Sequence, residues 1–255
     1  MPDVYSCDVV HNEKLTDRVY AVTISCPEIA GAARPGQFIN IKCGADSLLR
    51  RPISICGVDE DEIRFVFEVK GAGTSWLSRR VPGRRLDVLG PLGNGYHIPD
   101  GDIIVVGGGV GTPPLLFAAA SSTGAVSAVI GFSDSRAVIL RNEFETVCDS
   151  VCVTTDDGSS GIRGTVSGPL TELLEKGGNK PVLACGPQLM LRAVADICDR
   201  FGAPCQVSME ERMACGVGAC VVCACATQRD GAQGMSLVCK DGPVFDAREV
   251  VWREQ

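Results

Sequence analysis

Histidine is almost missing from this chain. Among its 255 residues only His11 and His97 occur, and neither sits in a cluster of ligating side chains. That leaves little material for a histidine-based metal centre or a Ser-His-Asp triad. Aromatic residues are scarce at 5%, and no Lys/Arg cluster offsets a net charge of −7, which argues against a nucleic-acid partner. A basic, apolar leader is also lacking: Met1-Pro-Asp-Val-Tyr-Ser-Cys-Asp carries acid where a secretory signal is basic. The run from Ile103 to Ser133 has no charged side chain, yet Gly107-Gly108-Gly109, Gly111 and Pro113-Pro114 break it. A strand, a glycine turn and a buried helix account for it better than a membrane span. With 45% hydrophobic and 22% charged residues, the expectation is a globular, reduced, cytoplasmic protein without a transmembrane segment.

Cysteine, by contrast, is abundant, with fourteen residues. Cys215, Cys220 and Cys223 have the C-x4-C-x2-C spacing, and Cys239 supplies a detached fourth thiol. This is the ligand order of a plant-type [2Fe-2S] cluster. Gly216, Gly218 and Ala219 keep the loop free of bulky side chains, so amide N–H groups can turn inward toward sulfur. Zinc also accepts C-x2-C, but a zinc ribbon normally offers two such pairs, whereas Cys239 stands alone. Disulfides, or cysteines serving merely as small buried residues, are the remaining readings. Cys225 is an alternative to Cys223 as third ligand, although Cys223 fits the spacing better. A protein with such a cluster moves single electrons, so the rest of the chain should supply or accept them.

Residues 1 to about 98 read as an antiparallel β-barrel. Val4–Val10, Val19–Ser25, Phe38–Cys43, Ile53–Cys56, Ile63–Val69 and Leu86–Leu89 are short runs rich in β-branched and aromatic residues, separated by turns. Ile63, Phe65, Phe67 and Val69 alternate with Arg64, Val66 and Glu68, so one face of that strand is buried. Arg51-Pro52-Ile53-Ser54 places a cation and a hydroxyl at a strand start. Lys70-Gly71-Ala72-Gly73-Thr74-Ser75 is a glycine turn opening a short helix. Each alone is explained by a turn and a helix cap, but together they suggest a pyrophosphate clamp, with Arg51 on one side and Gly73–Thr74 on the other.

Past the turn-rich joint at Pro91–Gly101 the pattern becomes α/β. Asp102–Val106 is an apolar strand ending in Gly107-Gly-Gly-Val-Gly111-Thr112-Pro-Pro114, followed by a helix. Strand, glycine turn and helix together place a dinucleotide pyrophosphate at a helix N-terminus. Pro114 occupies the last position of what would otherwise be G-x-G-x-x-G. Strands at Val126–Phe132, Val151–Thr154, Pro181–Ala184 and Gln206–Ser208 alternate with helices at Arg141–Cys148, Leu170–Lys176 and Gln188–Phe201. Gly109, Gly111, Thr112, Asp134 and Cys185-Gly186-Pro187 are therefore expected on one carboxyl edge, where such sheets bind nucleotides. Asp134 suits an NAD ribose hydroxyl and Arg136 a 2′-phosphate, or both are plain loop charges. NADH is preferred. The expected division is 1–98, 99–207 and 208–255.

The R-P-x-S motif, the G-T turn, the G-x-G-x-x-P loop and the C-G-P strand end together resemble the ferredoxin–NADP reductase superfamily. Ser208-Met-Glu-Glu-Arg-Met-Ala-Cys215-Gly-Val-Gly-Ala-Cys220 and Val238-Cys239-Lys-Asp-Gly-Pro-Val-Phe245 resemble one branch more closely, the electron-transfer subunits of class 1B dihydroorotate dehydrogenase. The resemblance covers essentially the whole chain. It implies a flavin-binding barrel holding FAD, a Rossmann-like parallel-sheet domain for NAD(H), and a small C-terminal [2Fe-2S] segment ligated by Cys215, Cys220, Cys223 and Cys239. It also implies a partner FMN subunit that oxidises dihydroorotate to orotate in pyrimidine synthesis, in a two-plus-two heterotetramer. By position, Arg51, Pro52, Ile53, Ser54, Val66, Phe67, Glu68, Gly73 and Thr74 fall to FAD, with Ser54 near the reactive flavin nitrogen. Many superfamily members carry Tyr where this chain has Ile53, so that aromatic stack is absent. Nicotinamide exchanges electron pairs and the cluster single electrons, so a flavin between them is required, and no general base is. Two alternatives stay open: an NAD(P)H-dependent reductase serving another oxidoreductase or oxygenase, and a zinc-stabilised binding module without flavin.

Overall fold

The computed structural model describes residues 3–45, 47–229 and 231–252. The first half is a closed six-stranded barrel built from β1 (Asp3–Lys14), β2 (Val19–Ser25), β3 (Phe38–Lys42), β4 (Arg51–Asp59), β5 (Glu62–Glu68) and β6 (Arg85–Leu92), with short helices α1 (Pro27–Ala30) and α2 (Ala72–Leu77). The strand order round the barrel is β1-β2-β5-β4-β3-β6. β1 outruns the expected Val4–Val10 because it serves two neighbours. Asp3–Asp8 pair with β6, Asp8–Lys14 pair with β2, and the register shifts between Val9 and His11. The alternation read in β5 holds: Ile63, Phe65 and Phe67 point into the barrel core with Ile39, Ile41 and Ile55. Phe67 stacks on Tyr20 at a centroid distance of 6.1 Å.

The second half is a sheet of seven strands: β7 (Ile103–Gly108), β8 (Val126–Phe132), β9 (Ser150–Thr155), β10 (Ile162–Arg163), β11 (Val182–Cys185), β12 (Cys205–Ser208) and, from the C-terminal segment, β15 (Val244–Asp246). Helices α3 (Pro113–Ala120), α4 (Arg141–Val147), α5 (Ser167–Gly177) and α6 (Gln188–Phe201) connect the strands. The order β10-β9-β8-β7-β11-β12-β15 is parallel throughout except for β15, which runs antiparallel to β12. Such a buried parallel sheet needs apolar residues on both faces. Strand alternation supplies them: Ile103 and Val105 pack with α3 and α4, whereas Ile104 and Val106 pack with α5 and α6.

Two extensions of these cores join the parts. The barrel's outer residues Val19, Ala21, Cys56 and Val66 share a core with Leu115 and Ala118 of α3. On the other face, Phe38 and Leu92 of the barrel share a core with Cys223, Val238, Cys239 and Phe245 of the C-terminal segment. That segment also forms a hairpin of β13 (Ala224–Arg229) and β14 (Ala232–Leu237). In the joint between the halves, the buried Tyr96 hydroxyl donates to the Ala184 carbonyl at 2.9 Å. Among the described residues, no helix is long and apolar enough to cross a membrane.

Burial pushes the Cys56 thiol from 9.0 up to about 12, and raises the Tyr96 phenol well above 10.0. Both groups ionise more readily in the unfolded chain. The stability they contribute is therefore full below the unfolded pKa and is lost as pH rises toward the folded one. Denaturant unfolding should accordingly show a lower midpoint at about pH 10.5 than at about pH 8. An equal or higher midpoint at the alkaline value would contradict the burial of these groups.

Candidate functional site

The barrel opens where β4 and β5 part. Their pairing runs from Asp59↔Glu62 to Ile55↔Phe65 and goes no further, while Arg51–Ser54 pair along the opposite edge of β4 with Phe38–Ile41 of β3. The ends of the two strands thus splay, leaving backbone edges at Arg51–Ser54 and Val66–Glu68 that face no mutual partner in the barrel. Ile53 lies in the barrel core, Val66 against the second domain and Phe67 in the barrel core, while Pro52, Ser54 and Glu68 are only half-buried. From Val66 and Phe67 the opening can receive only backbone groups. The Glu68 carboxylate meets Arg18 at 3.5 Å and Lys70 at 3.6 Å.

α2 closes this opening. A Cβ placed on Gly73 would lie 2.5 Å from Arg51 Nε, so the guanidinium rests directly on the glycine. The two halves of the expected clamp are therefore together. The Thr74 hydroxyl accepts from the N–H groups of Lys70 at 3.0 Å and Gly71 at 3.3 Å. It holds the turn, and the charge comes from Arg51.

The second site lies at the carboxyl edge of the parallel strands. The chain winds outward in both directions from β7, so β7 and β11 flank the point where the order reverses, the usual crevice for a nucleotide. The loops after these two strands touch there. A Cβ on Gly111 would fall 2.6 Å from the Cys185 carbonyl oxygen and from the Gly186 Cα, which only glycine permits. Gly109 opens the intervening turn with φ +53, and Thr112 behind it is fully buried with an Oγ1 that has no partner. Asp134, after β8, has its carboxylate engaged by Arg136, accepting from its backbone N at 2.8 Å and its Nη2 at 3.2 Å. That pairing holds the Asp134 carboxyl below its ordinary value. Its own side chain is thus already partnered by the cation that sequence pairs with it.

The third element is the cysteine loop, which runs between β12 and β13 without regular structure. Its backbone does what the glycines permit. Val217 N and Ala219 N donate to Cys215 Sγ at 3.4 and 3.3 Å, Gly218 N to Cys239 Sγ at 3.2 Å, and Cys239 N to Cys223 Sγ at 3.5 Å. Gly216 and Gly218 make this possible with φ of +76 and +81. Val221 follows at φ +62, a costly conformation for a β-branched residue. Burial alone would raise the Cys215 thiol, but N–H groups of Val217, Cys220 and Ala219 outweigh it and bring it to about 6. Cys239 goes the other way, up to about 12, from burial and the neighbouring Cys223 thiol.

The four thiols come in twos, Cys215 beside Cys220 and Cys223 beside Cys239. Among the described residues no three ligating side chains converge as they would on a single ion. Cys225 is buried on β13, opposite Ser236. Cys220 is exposed, and Val217, Val221 and Val222 around it are 44%, 59% and 53% exposed.

One feature of the site is assigned no role from the sequence. Glu210, Glu211 and Arg212 line a cleft of about 340 Å³ together with Gly186, Pro187 and Met209. It connects the C-G-P strand end to the approach of the cysteine loop. The charged triplet is adjacent in sequence to the loop, but its neighbour across the cleft comes from β11, a contact that local pattern does not encode.

Comparison with known proteins gives consistent results. Residues 210–251 match the family model of the iron-sulfur cluster binding domain of dihydroorotate dehydrogenase B. The chain is 38% identical over 245 residues to the dihydroorotate dehydrogenase B (NAD(+)) electron transfer subunit of Caldanaerobacter subterraneus subsp. tengcongensis, covering 96% of this chain and 97% of that one. The subunit of the same name from Geobacillus thermodenitrificans is 40% identical, with 95% and 96% covered. Among solved structures, one of an NADH-dependent reduced ferredoxin-NADP oxidoreductase, described in connection with flavin-based electron bifurcation, aligns with a TM-score of 0.87 and 31% identity. It covers 96% of this chain and 90% of that one. The ferredoxin reductase of carbazole 1,9a-dioxygenase shares the fold at a TM-score of 0.67 and 22% identity, with 80% and 67% covered.

The contact between Gly73 and Arg51 generates a test. Gly73→Ala should fold normally by circular dichroism, since the glycine has no left-handed conformation to lose. The methyl displaces the guanidinium, and flavin affinity should fall roughly tenfold or more, the worth of a charge-assisted hydrogen bond. Unchanged affinity in a flavin titration would remove Arg51 from the binding site.

Proposed function

Because the chain belongs to the family of electron transfer subunits of NAD-dependent dihydroorotate dehydrogenase B, we propose that it passes electrons from a dihydroorotate-oxidising partner subunit to NAD+. Its cofactors in this role are a [2Fe-2S] cluster, FAD and NAD(H). The observation that carries the reading is the seating of the cysteine loop between barrel and sheet, with one pair of thiols turned inward and the other reaching toward solvent. Cys223 and Cys239 face the interior core and Cys220 faces solvent.

We assign the residues as follows. Cys215, Cys220, Cys223 and Cys239 hold the cluster, and the four inward N–H groups supply positive potential to the sulfurs. Arg51, seated on Gly73, takes the flavin pyrophosphate, while Pro52–Ser54 and the open edge at Val66–Glu68 line the ring system. Gly109, Gly111, Thr112 and Cys185–Pro187 form the nicotinamide-nucleotide crevice, where the close approach of two loops excludes bulk and water. When bound, the flavin supplies the ability to exchange both electron pairs and single electrons. The protein's part is placement: no side chain has to move a proton at the hydride step, in keeping with two lone histidines. Cys220 with Val217, Val221 and Val222 forms the face toward the partner, which we take to be an FMN-containing subunit in a two-plus-two assembly.

A second reading has one observation in its favour, the 0.87 TM-score to a ferredoxin-NADP oxidoreductase structure. There the same cofactors would serve another acceptor, and Arg136, 89% exposed at its side chain, would be free to turn toward a 2′-phosphate.

Reconstitution distinguishes the two. Dihydroorotate, NAD+ and a family catalytic subunit should yield NADH only when this chain is added, with little NADPH from NADP+. Absence of NADH, together with efficient NADPH-driven reduction of ferredoxin by this chain alone, would favour the second reading.

A further inference from the structure

One buried polar side chain lies outside everything assigned so far. Asn40, in the middle of β3, is 1% exposed, and neither its Oδ1 nor its Nδ2 has a hydrogen-bond partner. A buried carboxamide with both ends unpaired costs on the order of several kcal/mol, and such groups are rare. Its surroundings say where it is aimed. Strand alternation sends Ile39 and Ile41 into the barrel core, and Phe38 and Asn40 to the outer face. Phe38 there packs with Leu92 and the C-terminal segment. Asn40 meets the cysteine loop itself: a Cβ on Gly216 would lie 2.7 Å from Asn40 Nδ2. Gly216 follows Cys215 directly, and the loop N–H groups around it already point at sulfur. On its other side Asn40 is paired with Pro52, inside the flavin motif of β4.

We propose that Asn40 is a positioning residue for the iron–sulfur centre, its carboxamide reaching across the barrel–loop junction to hydrogen-bond the sulfur side of the loop at Cys215–Gly216. Among the described residues neither end of the carboxamide has a hydrogen-bond partner, and the sulfur of a bound cluster is an acceptor of the kind its Nδ2 requires. A donor aimed at sulfur stabilises the more negative, reduced cluster and raises its potential. Asn40 thus ties the potential of the cluster to the strand that also borders the flavin opening. This inference rests on the reading of the loop as a [2Fe-2S] site.

The test uses the cofactor-loaded protein and two variants that alter packing in opposite ways. Asn40→Leu keeps the branched shape, adds volume and removes both polar groups, and Asn40→Ala leaves a cavity. In redox titration followed by EPR, both should retain the cluster but show a lower midpoint potential and altered g-values. At the wild-type midpoint the ratio of reduced to oxidised cluster should drop about tenfold, the worth of one hydrogen bond. Thermal unfolding of the cofactor-free chain should leave Asn40→Leu at least as stable as wild type, because an unpaired amide has been removed. If both variants keep the wild-type potential and g-values, or if they shift in opposite directions, Asn40 acts through packing alone and the proposal fails. A wild-type protein lacking any iron–sulfur signal would fail the loop reading instead, a distinct result.

Discussion

Backbone amides turned onto cysteine sulfur are the constraint around which this protein is built. Four N–H groups aim at three of the four thiols, and they can do so only where the chain takes positive φ without side-chain bulk. Such a loop has no helix or strand to support it and must be held from outside. The barrel supplies one hold, with Asn40 and Leu92 against Gly216. The end of β6 supplies another, since Asn94 Nδ2 donates to the Lys240 and Asp241 carbonyls at 3.0 and 3.1 Å. The sheet supplies the third through β15 on β12. The contacts that hold the loop thus also join barrel, sheet and C-terminal segment, beside the separate junction of the barrel with α3.

That arrangement follows from the chemistry of the carriers. In the proposed assignment, electron pairs belong to the crevice at β7 and β11 and to the barrel opening, and single electrons to the cysteine loop. Two continuous apolar cores, one on each side of the sheet, tie the elements that carry them together. Arg51 on Gly73 and the touching loops at Gly111 and Gly186 show the same economy, where a missing Cβ lets two chain segments meet at a ligand site.

Much of this was legible in the residues. The six barrel strands, the glycine turn after β7 and the alternation of β5 follow from local pattern, because burial of one face imposes a period of two. The cysteine spacing likewise marks the loop, which lies within the match to the iron-sulfur cluster binding domain over residues 210–251. What could not be read is long-range. β13 and β14 have weak patterns, Ala-Cys-Ala-Thr-Gln-Arg against Ala-Gln-Gly-Met-Ser-Leu, and pair only as a hairpin packed on the core. β15 owes its existence to a partner strand far earlier in the chain. Asn40 reads as an ordinary polar residue in a strand until Gly216 is found against it. The role of the Thr74 hydroxyl in holding its own turn is likewise visible only in the structure.

The most direct measurement of the central claim is EPR of the anaerobically purified, chemically reduced protein, alongside its iron, sulfide and flavin content. A rhombic signal is predicted, with iron and sulfide in the proportion of a [2Fe-2S] cluster. It should vanish on replacing Cys215, Cys220, Cys223 or Cys239 singly by Ser and persist in Cys225→Ser. A zinc-loaded, EPR-silent protein, or a signal lost in Cys225→Ser and kept in Cys223→Ser, would contradict the account.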